Sequence, residues 1–322
     1  MRVVAMGGGN AMPNAVLKGL KKYDLDITSV TSMVDSGGSS GQLRKDFNVL
    51  PPGDIRRHLL ALSEAPEWKK ELFKFRFGRE EFGDGHGGHS FGNAFIAGLE
   101  YVLKDYEEVL KIVHEFLEVK GRCLPATTEK TNLAAILENG QEIFGEDEID
   151  VPKAHDPNLK IKKIFLKPEA KAYRPVLDAI ENADLIVIGP GDLYSSLIPC
   201  VLPRGIKESL EKSNAKKILI VPAMTKIGET NGFSVLDFAN EMERYIGSPL
   251  DFVIYNNFVP EKERVEKYKK EELNVHEIVG INKDLDEKKF IGLDLLVKSG
   301  EIVYDPDKLA DVIIKNLTGQ SG

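Results

Sequence analysis

Cysteine is scarce in this sequence, and long apolar runs are missing from it. The 322 residues include two cysteines, Cys123 and Cys200, which lie far apart without the short spacing of a metal-ligand pair. Isolated cysteines favour a reducing, cytoplasmic compartment, and we expect both to be core residues. No apolar run approaches the roughly 18 residues of a membrane span, and the strand-like RVVAM already begins at Arg2. We therefore predict a cytoplasmic protein with no signal peptide and no membrane contact.

An excess of basic charge is also missing. The sequence has 43 Lys plus Arg against 51 Asp plus Glu, a formal net charge of -8. This balance repels polyphosphate backbones and argues against nonspecific nucleic-acid binding. We expect no nucleic-acid partner, and any anion site has to be local.

Several common catalytic and nucleotide-binding motifs are absent. The GxGxxG pattern that begins at Gly7 fails at Met12, and no Walker A lysine follows a glycine loop. An NAD-type binder stays an alternative, because fold alone does not fix function, but the broken motif disfavours it. No nucleophile elbow and no Ser-His-Asp order is found, which disfavours hydrolysis through an acyl intermediate.

Short apolar runs that end in glycine or polar residues alternate with longer amphipathic segments. This alternation is typical of a parallel sheet whose strands are connected by helices. We predict an α/β fold, a Rossmann-like doubly wound and mostly parallel sheet, as one domain over residues 1–322. The expected central strands are RVVAM, ITSVTSMV, DLIVIG, KILIVPA and DFVIYNN.

One segment interrupts the alternation. Asn139-Gly140 lies between two strand-like arms and is a strong signal for a tight hairpin, and KIKKIFLK from Lys160 could add another strand. No Pro/Ser-rich linker separates this segment from the rest of the chain. We predict a small β-rich insert over residues 120–167 within the single domain.

Two glycine-rich segments follow the first two predicted strands. GGGN (Gly7 to Asn10) precedes a helix, as in a phosphate cradle, although a purely structural turn stays an alternative. SGGSSG follows Asp35, and its amides and the Ser39 and Ser40 hydroxyls can bind an anion. Arg44 can pair with a phosphate, and Asp35 suits a hydroxyl or a magnesium-bound water. Because the carboxyl ends of parallel strands share one edge, we expect the two segments to face the same crevice.

Three further segments carry candidate binding residues. GHSFGN contains His89 and Asn93, which suit either ligand contact or helix capping, and zinc binding by His86 and His89 is disfavoured because no third ligand is apparent. GPGD, with Pro190, Gly191 and Asp192, follows the strand DLIVI. In PPGDIRR, Asp54 suits a helix N-cap. The adjacent Arg56 and Arg57 are held by an anion or a carboxylate, or form a solvated pair.

Taken together, these segments resemble the gluconeogenesis factor family, YvcK type, within the CofD-like superfamily. The resemblance spans nearly the whole chain and rests on GGGN, VDSGGSSGQLR, PPGDIRRHLLALSE, GHSFGN, PATTEKTNLAAILENG, ADLIVIGPGDLYSSLIP, MTKIGETNGFS and YDPDKLA. It implies a regulatory protein that binds a UDP-sugar or related nucleotide diphosphate and links carbon metabolism to cell-wall synthesis and cell shape. The alternative is the transferase branch, in which a phospholactate group passes from a guanosine diphosphate derivative to a deazaflavin precursor with magnesium assisting.

The residues of this chain that match the family pattern form the predicted site. No cofactor is required in the regulatory interpretation, and Asp35 and Asp54 would hold magnesium in the transferase interpretation. Ser36 stands where the family usually has a second aspartate, so one metal-handling carboxylate is missing. A homodimer and further regulatory protein partners stay open. The predicted ligand-binding residues are Gly8, Gly9, Asn10, Asp35, Gly38, Ser39, Ser40, Arg44, Asp54, His89, Asn93, Pro190, Gly191 and Asp192.

Overall fold

The strands of the chain form one large sheet and two small ones. A computed structural model describes residues 1–78, 88–272 and 274–318. Its strands, in chain order, are β1 (Arg2–Met6), β2 (Asp26–Thr31), β3 (Arg122–Pro125), β4 (Asn132–Leu137), β5 (Glu142–Phe144), β6 (Ile161–Lys167), β7 (Leu185–Ile188), β8 (Lys216–Ile220), β9 (Met224–Lys226), β10 (Phe252–Asn256), β11 (Val275–Ile278) and β12 (Phe290–Leu293).

The large sheet has seven strands in the order β12-β10-β8-β7-β1-β2-β3, and each neighbouring pair is parallel. The chain builds the sheet outward from β1 through β2 to β3 and then returns to the other side of β1 with β7. The strand order therefore reverses between β1 and β7. In doubly wound folds, the crevice outside the carboxyl ends of the strands at such a switch point is where ligands bind.

Helices cover both faces of this sheet. They are α1 (Lys18–Leu20), α2 (Gly38–Phe47), α3 (Gly53–Leu62), α4 (Glu67–Lys74), α5 (Phe91–Leu103), α6 (Tyr106–Leu117), α7 (Glu146–Asp150), α8 (Arg174–Glu181), α9 (Ile206–Lys212), α10 (Val235–Ile246), α11 (Lys262–Glu271) and α12 (Pro306–Thr318). A π-helical segment, Met12–Leu17, leads into α1, and a second one, Leu193–Leu197, follows β7.

The core lies on the two faces of the large sheet. Alternate residues of one strand belong to different buried clusters, so that Val4 and Met6 of β1 pack on one face and Val3 and Ala5 on the other. Strands covered on both faces read as continuous apolar runs. This is why RVVAM, DLIVIG and the other predicted central strands could be recognised, and the predicted α/β doubly wound class is confirmed. Both cysteines are buried and free.

The small sheet β5-β4-β6 is antiparallel and carries the predicted hairpin, with Gly140 at a positive φ of 88° between β4 and β5. It begins at Asn132, later than the predicted boundary at residue 120, because Arg122–Pro125 pairs with β2 at the edge of the large sheet. We call residues 132–167 the insert.

Two local features differ from the sequence prediction. The second strand ends at Thr31, before the end of the predicted ITSVTSMV, and the part of SGGSSG from Gly38 onward forms the first turn of α2. Serine and glycine are common where helices begin, so the composition fits either structure. Within the described residues, no helix has both the length and the apolar character that crossing a membrane requires.

Candidate functional site

A polar cavity of about 600 Å³ lies at the carboxyl edge of the sheet beside the switch point. Four predicted residues line it, namely Gly9, Asp35, Gly38 and Asp54. The segments after β1, β2 and β7 therefore meet at one cavity, together with the first turns of α2 and α3. The remaining lining residues are Ser32, Ser36, Gly37, Gly41, Gln42, Lys45, Arg57, Glu146, Asp147, Asp150, Val151, Lys153, Ser195 and Ser196.

The helix α2 presents its N-terminus to this cavity. Gly37 is its N-cap residue, and no side chain caps the helix. The first amides of a helix have no partner within the helix, so those of Gly38, Ser39 and Ser40 remain for an external acceptor. Their orientation and the helix dipole favour an anion, as at other phosphate-binding helix N-termini.

The segment after β1 adds further unpaired amides. Within the described part of the chain, the amides of Gly8 and Gly9 donate to no protein acceptor. Gly9 has a positive φ of 64°. A Cβ added to Gly8 would lie 2.7 Å from Oδ2 of Asp54, so the absence of a side chain lets this backbone approach the carboxylate.

Three carboxylates concentrate negative charge in the cavity. We call Asp35, Asp54 and Glu146 the crevice carboxylates. Burial and the nearby charge of Asp54 raise the pKa of Asp35 to about 6, although Arg57, Ser40 and the Gly37 amide act in the opposite direction. Burial, followed by the charges of Asp35, Asp150 and Asp54, raises the pKa of Glu146 well above its ordinary value. The crevice carboxylates therefore repel one another, and the nearby donors and basic groups compensate only part of this repulsion.

Basic side chains compensate part of this charge. Arg57 Nη1 donates to Oδ1 of Asp54 over 2.6 Å, so the prediction that an arginine of PPGDIRR is held by a carboxylate fits the geometry. Lys45 and Lys153 also line the cavity. Asp54 lies in the first turn of α3 but does not cap this helix, which begins after Pro52.

The crevice carboxylates have the chemistry of a magnesium site. Asp35 and Asp54 offer the hard oxygen ligands that Mg²⁺ prefers, and a divalent cation would relieve the repulsion by Asp54 that, together with the larger effect of burial, raises the pKa of Asp35. Asp35 and Asp54 therefore fit magnesium, as predicted from the sequence, whereas Glu146 does not complete a three-carboxylate metal site with them among the described residues.

The insert forms one wall of the cavity, which the sequence analysis missed. Its helix α7 brings Glu146, Asp147 and Asp150 to the cavity. Ser36 Oγ donates to Oδ1 of Asp147 over 2.5 Å and accepts from the Asp147 amide over 3.0 Å. The acidic run GEDEID was visible in the sequence, but acidic runs are usually solvated surface and nothing linked this one to the glycine segments 110 residues earlier.

A second acidic group lies just outside the cavity and contains its own cation. We call Lys226 and the carboxylates of Asp150, Asp192 and Glu229 the Lys226 cluster. Lys226 Nζ donates to Asp192 over 2.8 Å and to Asp150, and Glu229 lies 3.7 Å away. Burial lowers the pKa of Lys226, but the three carboxylates raise it more, so its ammonium stays charged. These carboxylate oxygens are close enough to hold a metal, but the ammonium already occupies that role.

Glu229 also uses the amides that follow GPGD. Its Oε2 accepts from the amides of Tyr194 and Ser195 over 2.8 and 3.1 Å, and its Oε1 accepts from Ser195 Oγ over 2.7 Å. The N-terminus of the segment Leu193–Leu197 is thus satisfied within the protein. Pro190, Gly191 and Asp192 of the predicted site do not line the cavity, and the neighbouring Ser195 and Ser196 do.

The predicted residues of GHSFGN lie behind α2. Ser39 Oγ bonds to Nδ1 of His89 over 2.9 Å and accepts from Nδ2 of Asn93 over 3.1 Å. Asn93 Oδ1 accepts from Nε of Arg56 over 2.7 Å. These side chains support the start of α2 and do not line the cavity, which fits the interpretation as loop hydrogen bonding. His86 lies outside the described residues.

Three other predicted residues also point elsewhere. Ser40 is buried and bonds to Asp35. Arg44 donates to the carbonyl oxygen of Thr131 at the start of β4. Asn10 is exposed, and its carbonyl oxygen accepts from the amide of Asn14. Direct contact with a ligand is therefore best supported for the predicted residues that line the cavity, while these three have supporting contacts.

Fold and cavity together define the class, a doubly wound α/β protein whose polar crevice at the switch point combines unpaired amides with carboxylates. The family model described as "2-phospho-L-lactate transferase CofD" matches residues 3–293. The chain belongs to this family.

Relatives and solved structures point to one group within the family. A "Putative gluconeogenesis factor" of Thermotoga maritima is 41% identical over 97% of this chain and 98% of its own length. A "Gluconeogenesis factor" of Listeria innocua is 34% identical over 99% of this chain and 97% of its own length. A crystal structure of a upf0052 family protein from Bacillus halodurans has a TM-score of 0.86 at 33% identity, covering 97% of this chain and 98% of that one. The predicted resemblance to the gluconeogenesis factors is confirmed.

Proposed function

We propose that this protein binds a nucleotide diphosphate-sugar, such as a UDP-sugar, in the cavity and acts as a regulator that responds to it. The observation that carries the proposal is the cavity between the N-terminus of α2 and the segment after β1, where unpaired amides from both elements face the same space. A cavity of about 600 Å³ is within the usual range for ligands of this size. One helix N-terminus contributes about 0.3 to 1 kcal/mol, whereas micromolar binding needs about 8 kcal/mol, so several elements have to contribute.

The charges divide the cavity between the parts of such a ligand. The diphosphate would lie on the amides of Gly8, Gly9 and α2, with Lys45 and Lys153 adding positive charge. The crevice carboxylates would accept from sugar or ribose hydroxyls or hold a cation that bridges to the phosphates. Among the described residues that line the cavity there is no cysteine and no histidine. The lining instead offers hydroxyl, carboxylate and ammonium groups to a bound ligand.

The regulatory role is supported by the names of the relatives, since proteins 33 to 41% identical to this chain are called gluconeogenesis factors. We propose that the bound state links carbon metabolism to cell-wall synthesis and cell shape in the cytoplasm.

A transferase is the second candidate, and the crevice carboxylates favour it. Magnesium held by Asp35 and Asp54 would stabilise the charge that develops on a departing nucleoside monophosphate. The family model carries the name of a transferase. A magnesium-dependent release of nucleoside monophosphate from a nucleotide diphosphate donor, lost in Asp35→Asn, would establish this alternative, and its absence across donors and acceptors would favour the regulator.

Calorimetric titration tests the proposed binding. UDP-N-acetylglucosamine, UDP-glucose, UDP and GDP are each titrated with and without magnesium. We expect at least one uridine diphosphate compound to bind at micromolar concentration. Absence of binding by all uridine diphosphate compounds at millimolar concentration would exclude the proposal.

A single substitution tests the role of Asp54. We expect Asp54→Asn to weaken binding at least tenfold, about 1.4 kcal/mol, because the amide can neither hold a cation nor accept as strongly from a hydroxyl. The matched control is Asp184→Asn, at an exposed aspartate paired with Arg2 near the amino ends of the strands. Unchanged or tighter binding in Asp54→Asn would contradict the assignment.

A further inference from the structure

The Lys226 cluster joins three separate parts of the chain beside the cavity. Asp150 is the last residue of α7 in the insert, Asp192 follows β7, and Glu229 follows β9, which ends at Lys226. Of these four residues, Asp150 alone also lines the cavity. The cluster therefore connects the insert wall of the cavity to the large sheet through one side chain.

Lys226 is the cation that makes this arrangement possible. One oxygen from each of the three carboxylates lies within 4.8 Å of the others. At such distances three negative charges repel strongly in a partly buried environment. Lys226 is 12% exposed and Glu229 is fully buried, so solvent provides little compensation. The ammonium donates hydrogen bonds to Asp150 and Asp192, and Glu229 adds an ion pair at 3.7 Å.

The helix α7 depends on external attachments for its position. It has five residues, far fewer than an isolated helix needs to be stable in water. Its N-terminal half is attached to Ser36 through Asp147, and at its C-terminal end Ser195 Oγ and Asn274 Nδ2 donate to Asp150 over 3.3 and 3.2 Å. The charged contact at this end is the one from Lys226 to Asp150.

The N-terminal end of α7 is under repulsion. Glu146 lies in the field of Asp35 and Asp54, two carboxylates of the same sign. This repulsion acts to push α7 away from the cavity, whereas the contact between Asp150 and Lys226 holds it in place. The geometry of the insert wall thus results from two opposing electrostatic interactions.

We propose that Lys226 is a positioning residue for the cavity: its ammonium holds α7 of the insert against the segment after β7 and so sets the wall against which the ligand binds. The part of this inference that concerns ligand binding rests on the proposed function. The part that concerns the position of α7 is independent of it.

Hydrogen-deuterium exchange of the ligand-free protein tests the inference directly. Lys226→Met keeps an unbranched side chain of similar length and removes the ammonium group with its charge. We expect the amides of residues 146–151 to exchange at least tenfold faster, while those of β4 and β6 stay unchanged, because exchange reports local opening. The matched control is Lys289→Met, which removes a partly buried lysine paired with Glu243 over 2.7 Å on another part of the surface. Unchanged exchange in residues 146–151 would overturn the proposal.

A second variant covers the case in which Lys226→Met does not fold. Asp150→Asn removes the carboxylate that the insert contributes to the Lys226 cluster and leaves Lys226 with Asp192 and Glu229. We expect the same increase in exchange confined to residues 146–151. No increase in this variant would equally overturn the proposal.

Ligand binding supplies a readout that a merely structural role would not produce. We expect the dissociation constant for UDP-N-acetylglucosamine to rise at least fivefold in each variant and no further in the double variant, since both remove the same attachment. Additive effects, or weaker binding without faster exchange in residues 146–151, would contradict the inference. If the wild-type protein binds no nucleotide, the proposed function fails, and the exchange result still decides the role of Lys226.

Discussion

Two groups of three carboxylates lie at opposite ends of α7, and they differ in how their charge is balanced. In the Lys226 cluster a buried ammonium contacts all three carboxylates within 4 Å. Among the crevice carboxylates, Arg57 pairs with Asp54, and no basic side chain of the described residues forms an ion pair with Asp35 or Glu146. Each group has one paired cation for three carboxylates, but Lys226 lies close to all three of its partners, whereas Arg57 contacts Asp54 alone. The crevice carboxylates also line a cavity that a ligand can enter.

This difference indicates which group serves the fold and which serves a ligand. Like charges placed together without compensation cost stability, and such arrangements concentrate at functional sites. A bound cation, a proton or a set of hydroxyl donors would relieve the repulsion among the crevice carboxylates. The Lys226 cluster has no such requirement because its ammonium already lies within 4 Å of all three carboxylates.

The largest expected effect comes from removing the internal cation. Lys226→Met leaves the buried Glu229 and the half-buried Asp150 and Asp192 facing one another without a cation, and breaking a buried ion pair by removing one partner costs about 3 to 5 kcal/mol. We expect the free energy of unfolding to fall by about 3 kcal/mol in urea denaturation. A loss below about 1 kcal/mol would mean that the two groups do not differ as described.

A smaller effect is expected from disturbing the attachment of α7 on the crevice side. A Cβ added to Gly41 would lie 1.9 Å from the carbonyl oxygen of Ser36, the residue that holds Asp147. We expect Gly41→Ala to destabilise the protein by about 2 kcal/mol through overpacking, as measured by thermal unfolding.

Gly98→Ala is the matched control for that substitution. Gly98 also lies inside a helix, but a Cβ there would have no atom within 4 Å. Alanine should stabilise α5 by about 0.5 to 1 kcal/mol through its higher helix propensity. If both variants behaved alike, the close contact between α2 and Ser36 would not be the cause.

The smallest effect, and one of opposite sign, is expected at a crevice carboxylate. Asp35→Asn keeps an oxygen that can accept from the Gly37 amide, 3.0 Å away, and removes the charge. We expect the ligand-free variant to be more stable than wild type by about 1 kcal/mol at pH 7.5, because the carboxylate faces solvent that screens part of the repulsion.

The pH dependence of this gain follows from the raised pKa. Ionised Asp35 is disfavoured in the folded state, so its destabilising effect is complete above the folded pKa of about 6 and disappears as the pH falls toward its unfolded value near 4. The gain from Asp35→Asn should therefore shrink between pH 7 and about pH 4 in chemical denaturation experiments. A gain that stays constant with pH would contradict repulsion as its cause.

The fold was largely predictable because most strands of the large sheet are buried on both faces. Apolar runs such as RVVAM and DLIVIG carry this signal directly. The two edge strands lack this apolar signal, since β3 contains Arg122 and Pro125 and β12 contains a glycine. Edge strands need fewer apolar residues, so local pattern separates them poorly from loops.

The site was predictable on one side of the cavity only. The glycine segments after β1 and β2, with Asp35 and Asp54, carried a local signal because backbone amides and strand ends follow from short motifs. The insert wall did not, because Glu146 reaches the cavity through the tertiary position of α7. The pairing of Lys226 with Asp150, 76 residues apart, leaves no local pattern at all.

Native mass spectrometry of the purified protein tests the central claim, that the cavity at the switch point holds a nucleotide diphosphate ligand. We expect the wild-type protein, with UDP-N-acetylglucosamine added at micromolar concentration or with a ligand retained from the cell, to show a bound species of nucleotide diphosphate-sugar mass, and Asp54→Asn to lose it. A wild-type protein that stays at the mass of the bare chain with every nucleotide diphosphate tested, up to millimolar concentration, would contradict the claim.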